Sequence, residues 1–374
     1  MNDLPRSERD RLFAEQSDAF IQKMLDASGK SDLNSIVIPS SQKPFPLQPR
    51  IIHDYRAISS AEKHEIQKDY LSDRGVAYFI VLNPNEKAVP SEHPILQIAN
   101  QLKEDLNLNY PLDHPLEGHH DAVERFGPPD GTVKIYDLVK KTEGYREQGE
   151  TSEMFSLHSD GLGSGGTVQT TALYMDSPPL MGGYTFFQNI PLLALKLARD
   201  DSDAFKSLFL PDAVTQIRPR GKGALKVICP VLFLNERGDP QAFFRTSSGE
   251  YQVKFRDDVP ALKRAIAFLN ELAEPFSPGS FFVHMTEKGH GVLIRNQVVA
   301  HGRTSFVDGS QPNQKRLLSR KWFMVSKRDA TYKHVPGMFI FKDFADLIPE
   351  QFGPELLEGE WVYDSEKDKN VRLR

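Results

Sequence analysis

The chain has 374 residues, 39% of them apolar, enough to bury a sizeable core in one large domain or two ordinary ones. Its 46 basic and 51 acidic side chains are spread without long blocks and sum to a net charge of −5, so no basic stripe marks a nucleic-acid or anionic membrane partner. A single cysteine, Cys229, excludes an internal disulfide, and its apolar setting KVICPVLF reads as a buried strand thiol rather than a nucleophile. The N-terminus, MNDLPRSERDRLFAEQ, is charged throughout, and no run approaches the ~18 apolar residues of a membrane span. A soluble, cytoplasmic protein with a small-molecule partner is the expectation.

In chain order, residues 1 to about 30 read as a polar amphipathic helix with Leu12, Phe13, Phe20, Met24 and Leu25 at roughly helical spacing. The proline-rich IPSSQKPFPLQPR after it is an extended connector. A helix around Ala61 to Ser72, a strand in GVAYFIVL (75–82) and a helix from Pro94 to Leu106 follow. From Thr132 the pattern changes to short β-branched or aromatic runs broken by glycine and proline: TVKIYDLV, EMFSLHS, VQTTALYM, YTFFQNI, AVTQIRP, LKVICPVLFL, QAFFRTS, FFVHM, GVLIRN, VVAHG and LLSRKWFMV. Strands in this density predict a sandwich or barrel, with helices only near Leu192–Leu208 and Pro260–Leu272. The aromatic and acidic tail after Lys333 is expected to pack outside the barrel.

Two signatures overlap in SLHSDGLGSGG (156–166). Gly161-x-Gly163-x-x-Gly166 has the glycine spacing of a dinucleotide turn, which must lie between a strand and a helix so that the helix N-terminus holds the pyrophosphate. The residues that follow, TVQTTALYM, are strand-like, and Asp176 is too close to serve as the ribose-binding acid. The glycines fit a flexible loop over the mouth of a site better. His158-x-Asp160 is the other signature. If MFSLHSD alternates as a regular strand, Phe155 and Leu157 face one way and Ser156, His158 and Asp160 the other. A distal His301 ends a second β-rich run, and two imidazoles with one carboxylate leave coordination positions open, as in non-haem Fe(II) oxygenases. A closed structural zinc site would need a fourth ligand, and none lies nearby in sequence.

LHSD (157–160), PPLMGGYTFF (178–187), RNQVVAHGR (295–303) and KRLLSRKWF (315–323) occur in this order. Together they resemble the Fe(II)/2-oxoglutarate dioxygenase superfamily, in its taurine dioxygenase and clavaminate synthase-like branch, over roughly Gly75 to Val325. The resemblance implies a mostly β core, a double-stranded β-helix (jelly roll, cupin-like) with flanking α-helices. The chain is expected to divide into residues 1–50 as an N-terminal helix and connector, 51–335 as a single catalytic domain with flanking helices and 336–374 as an extension packed on the core. The resemblance implies His158, Asp160 and His301 as iron ligands, and Thr185 with Arg316 as the clamp for the far carboxylate of 2-oxoglutarate. An arginine fork plus a hydroxyl suits that task. Arg320, four residues beyond Arg316 and on the same face if KRLLSRKWF is a strand, is implied as the anchor of a substrate carboxylate, with a contact to 2-oxoglutarate or an ion pair as the other possibility. Asn296 and Arg303 would orient the ligands.

The implied reaction uses Fe(II), 2-oxoglutarate and O2 to hydroxylate an unactivated C–H bond of a small carboxylate-bearing substrate such as an amino acid, with succinate and CO2 as co-products. Desaturation or ring closure would begin with the same hydrogen abstraction. Asp160 argues against halogenation, since family halogenases replace the carboxylate by a small residue. A cupin-like binding protein without oxidation chemistry and an NAD(P)-dependent oxidoreductase using Gly161–Gly166 are the competing classes. His290 reads as a turn residue, His119-His120-Asp121 as the start of a surface helix, and Phe186, Phe187 and Trp322 as core aromatics. The loop from Arg245 to Tyr251 is a candidate lining of the substrate pocket.

Overall fold

The computed structural model describes residues 6–36, 43–84, 93–112, 129–137, 149, 151–161, 168–210, 212–220, 223–234, 238–246, 252–311, 314–324, 339–340, 361–364 and 369–372. Two facing sheets hold the centre. The larger runs β2 (Arg50–Ile52), β3 (Val76–Val81), β16 (His290–Arg295), β7 (Val168–Ser177), β19 (Leu317–Met324) and β4 (Tyr110–Leu112), with β5 (Val133–Ile135) also paired to β19. The smaller runs β1 (Phe45–Pro46), β15 (Phe281–Val283), β9 (Thr185–Asn189), β17 (Val299–Arg303) and β6 (Phe155–His158). The chain therefore has the double-stranded β-helix expected for it, with antiparallel pairing through the middle of both sheets.

Strand alternation explains the layering. On β7, Leu173 and Met175 pack between the sheets with Phe187, Val292 and Leu318, whereas Ala172 and Tyr174 point outward into a cluster with Ile66, Ile98 and Leu102. The helices Ser60–Leu71 and Pro94–Gln101 supply that cover. The first is started by a reciprocal capping box between Ser59 and Glu62. The expected single helix 94–106 is two pieces, broken at Leu102, with Lys103–Leu106 as a separate turn.

On the smaller sheet, Phe187, Val299 and His301 face inward, while Leu157, Phe186 and Ala300 face a third cluster. There they meet helices Ile190–Asp200, Ser202–Ser207 and Pro260–Glu271, and Phe20 of the N-terminal helix Arg6–Ser28. A further sheet of β14 (Gln252–Phe255), β10 (Val214–Arg220), β11 (Gly223–Cys229) and β20 (Phe339–Ile340) adjoins this cluster. Cys229 is buried in it, and burial pushes its thiol up to about 12, as befits an inert strand cysteine. Small ribbons complete the described fold: β8 (Met181–Gly182) with β18 (Phe306–Val307), β12 (Leu232–Leu234) with β13 (Pro240–Ala242), and β21 (Trp361–Asp364) with β22 (Lys369–Arg372). Among the described residues no helix is long and apolar enough to cross a membrane.

The dinucleotide reading loses its helix here. Residues 162–167 lie outside the described residues, and the next described residue, Val168, opens strand β7. His119, His120 and Asp121 also lie outside the described residues.

One glycine sits where the two inner strands of the smaller sheet press together. A Cβ at Gly302 would lie 2.4 Å from Phe186 Cζ and 2.8 Å from the Phe155 carbonyl oxygen. Backbone cannot yield as a side-chain tip does. Gly302→Ala should therefore cost about 1–3 kcal/mol of stability, as overpacking does, read as a lowered urea midpoint at unchanged slope.

Candidate metal centre

His158, Asp160 and His301 converge between the sheets, each buried, with one ligand atom from each lying within 4.8 Å of the others. His158 and His301 are direct cross-strand partners on β6 and β17, so both imidazoles leave the sheet on one face. His158 Nε2 lies 3.5 Å from Asp160 Oδ1, and His301 Nε2 lies 3.6 Å from Asp160 Oδ2. These separations are long for hydrogen bonds and bring the two Nε2 atoms and the carboxylate together around one point.

The pairing is not regular. His301 opposes His158, but Arg303 opposes Phe155, so three steps on β6 match two on β17. This bulge overturns the expected alternation: Phe155 is brought to the side of His158, and the rings stack at 4.0 Å with 19° between planes. Leu157 keeps the opposite face and the third cluster. His158 Nδ1 lies 2.8 Å from the Ser156 carbonyl oxygen; since a carbonyl only accepts, Nδ1 carries the proton and Nε2 is left with its lone pair toward the centre.

Asp160 lies beyond the end of β6 and is held by strands of the larger sheet and by Asn296 just after β16. Asn296 accepts its backbone N–H at 2.7 Å and donates to its carbonyl at 3.1 Å and to that of Val168 at 2.9 Å. Its Oδ2 accepts from the Thr171 hydroxyl at 2.8 Å and from the Trp322 indole N–H at 2.9 Å. Trp322 is thus a partner of the carboxylate and not only a core aromatic. The signal was present in the sequence, because alternation on β19 puts Leu318, Arg320 and Trp322 on one face. Thr171 carried no comparable mark.

The electrostatics favour a metal donor set. Burial pushes His301 down to about 3, with His158, Arg320 and Arg245 acting the same way against Asp160. Burial and then Arg245 also lower His158. Burial alone would raise the Asp160 carboxyl, but the neighbouring His301 and His158 imidazoles and Arg320 outweigh it and hold it well below the usual range. Near neutral pH the centre holds two neutral imidazoles and a carboxylate, all deprotonated as ligands must be.

Thr185 and Arg316 lie to one side. Thr185 is buried opposite Arg303, and it shares the inward face of β9 with Phe187. Arg316, just before β19, has its guanidinium 5.1 Å from the Phe306 ring centroid, with that of Arg303 at 4.6 Å from the same ring. A Cβ at Gly183 would stand 3.6 Å from Arg316 Nε, which puts the glycine pair before Thr185 against the guanidinium. Arg316 is fully buried, and its Nε and Nη1 find no hydrogen-bond partner among the described residues. Burial and the charge of Arg303 both act against its own charge; a carboxylate there would relieve this cost. Arg303 anchors the chain entering β6 through Nη2, to the Thr151 carbonyl at 2.8 Å and to the Glu153 carbonyl. Arg320 reaches Asp160, Nη1 to Oδ1 at 3.8 Å, and lies 4.2 Å over the Trp322 ring. His290 is apart from the triad and bonds Tyr78 Oη through Nδ1 at 2.7 Å.

Residues 92–322 match the family model described as taurine catabolism dioxygenase TauD, TfdA family. A uridine-5'-phosphate dioxygenase of a Streptomyces species is 30% identical over 251 residues, 65% of this chain and 84% of that protein. The solved structure of the non-heme iron oxygenase OrfP in complex with Fe, succinate and (3S)-hydroxy-L-Arg superposes with a TM-score of 0.51 at 14% identity, covering 84% of this chain and 93% of that one. An asparagine oxygenase in complex with Fe(II), 2S,3S-3-hydroxyasparagine and succinate gives 0.47 at 16%, covering 73% and 82%.

Two measurements check the site's construction. Trp322→Phe removes the indole donor but keeps an aromatic ring, and should weaken divalent metal binding about 10- to 100-fold, the usual effect of losing a ligand's supporting hydrogen bond, in an anaerobic metal titration. For pH, His301 titrates near 3 in the folded chain against an ordinary 6.5. Between those values the unfolded chain binds more protons, so stability of the metal-free protein should fall as pH drops from about 6.5 toward 3. The fall should be shallower in His301→Gln.

Proposed function

The chain belongs to the taurine catabolism dioxygenase TauD, TfdA family, and from that premise we propose that it oxidises a C–H bond of a small substrate carrying an anionic group. It is an Fe(II)- and 2-oxoglutarate-dependent dioxygenase. The triad of His158, Asp160 and His301 carries the reading: two neutral imidazoles and one carboxylate on one side of a point suit a divalent iron ion with positions left for other ligands. Arg316 Nε and Nη1, without a hydrogen-bond partner among the described residues, suit the far carboxylate of 2-oxoglutarate.

In this reading His158, Asp160 and His301 hold Fe(II). Thr185 and Arg316 clamp 2-oxoglutarate by its far end and so set its orientation. When bound, iron, 2-oxoglutarate and O2 supply the oxidant that removes a substrate hydrogen atom, with succinate and CO2 as co-products. The protein's own work is positional. Asn296, Thr171 and Trp322 fix Asp160; Ser156 and Phe155 fix the His158 ring; the apolar layer of Phe187, Leu318 and Met175 keeps water away. Arg320, beside Asp160 and within reach of the open side, anchors the substrate's anion.

A carboxylate, as on an amino acid, is the first reading of that anion. A second is a nucleoside phosphate, favoured by the 30% identity to a protein named for uridine 5'-phosphate. His158→Ala and Asp160→Ala should each abolish succinate formation while leaving the circular dichroism spectrum unchanged; normal turnover in both would remove them from the metal site. Arg316→Ala should raise the KM for 2-oxoglutarate roughly 100-fold, the scale of a lost charge-assisted contact. Arg320→Ala should act mainly on the primary substrate, and an effect confined to 2-oxoglutarate would end its anchoring role.

A further inference from the structure

A second guanidinium reaches the triad from a part of the chain that no metal or 2-oxoglutarate role uses. Arg245 stands directly opposite His158 in an isolated antiparallel bridge. Side chains of directly opposed residues leave on the same face, so Arg245 enters the space into which His158 turns. The bridge is fixed on both flanks, with the Ser159 N–H donating to the Phe244 carbonyl at 2.7 Å and the Thr246 N–H to the Leu157 carbonyl at 3.1 Å. Arg245 is only 6% exposed. Its guanidinium carbon lies 5.8 Å from the Phe155 ring centroid, and that ring is the one stacked on His158. Its charge is felt by both imidazoles.

Arg320 comes from the opposite sheet. It lies beside Asp160 at 3.8 Å and is steadied by the Trp322 face. Two guanidinium groups therefore stand near the triad, that of Arg245 against the Phe155 ring stacked on His158 and that of Arg320 beside Asp160. A single fork already matches a planar carboxylate in a bidentate pair. Two forks approaching from different directions suit a tetrahedral group with three peripheral oxygens and about two negative charges.

We propose that Arg245 is a second anion-binding residue which, with Arg320, selects a substrate ending in a phosphate monoester over one ending in a carboxylate. This rests on the reading of the triad as the iron and 2-oxoglutarate site, and it leaves the C–H oxidation as described. It decides between the two anions in favour of phosphate.

The test is binding to the full-length protein loaded anaerobically with Fe(II) and 2-oxoglutarate, by calorimetry. The probes are uridine 5'-monophosphate and ribose 5-phosphate, each against its dephosphorylated form, with L-arginine and L-asparagine as carboxylate probes. At least one phosphate monoester should bind about tenfold or more tighter than its dephosphorylated form and than either amino acid. Arg245→Gln should weaken that phosphate ester roughly thirtyfold, the scale of one charge-assisted hydrogen bond, and leave the dephosphorylated form unchanged. Arg245→Lys, which keeps the charge without the fork, should recover part of the loss. The proposal is overturned if both phosphate esters bind no better than their dephosphorylated forms, if an amino acid binds tighter than either, or if Arg245→Gln binds the phosphate ester as the native chain does. Should Arg245→Gln fail to fold, Arg245→Lys and the native comparison decide. Absence of the visible absorption band on adding 2-oxoglutarate to the native Fe(II) protein would instead sink the underlying reading, whatever the phosphate result.

Discussion

The carboxylate of Asp160 is the joint on which the molecule's centre depends. An ionised carboxylate removed from water is costly unless it is paired and hydrogen-bonded. Here the compensation comes from the larger sheet, where Thr171 and Trp322 donate to one oxygen and Arg320 stands beside the other, while the two imidazoles face the carboxylate from the smaller sheet. Asn296 fixes the backbone on either side of the same residue. These contacts lie where the two sheets face each other, so the geometry of the metal centre and the packing of the barrel meet at one residue.

The smaller sheet meets that constraint by departing from regularity. A uniform β6 would hold Phe155 away from His158; the bulge opposite His301 and Arg303 turns both rings to one side and stacks them. Arg303 then secures the incoming chain through two carbonyls, and Gly302 leaves room for Phe186 and for the bulged backbone. Ligand orientation is thereby set by backbone geometry rather than by side-chain freedom, which limits the entropy that metal binding has to overcome.

Charge is distributed to match. Arg316 and Arg303 share the face of Phe306 on one side of the triad, where Thr185 lies. Arg320 and Arg245 lie beside Asp160 and His158. This separates the positive groups into two regions, one beside the Gly-Gly-x-Thr turn and one around the ligands themselves. Buried guanidinium groups discriminate by direction as well as by charge, so two such regions are able to tell two anions apart.

The sequence by itself determined the layer pattern and most of the centre. Runs of β-branched and aromatic residues located the strands, the resemblance carried by LHSD, PPLMGGYTFF, RNQVVAHGR and KRLLSRKWF pointed to His158, Asp160, Thr185, His301, Arg316 and Arg320, and the strand-like run after Gly166 spoke against a phosphate-binding helix. These features are local or periodic, so they survive without coordinates. The tertiary structure alone decided the bulge in β6, the turn of Thr171 toward Asp160, and the placement of Arg245 opposite His158. Each depends on which strand lies beside which and in what register, and register is fixed by packing between segments distant in sequence.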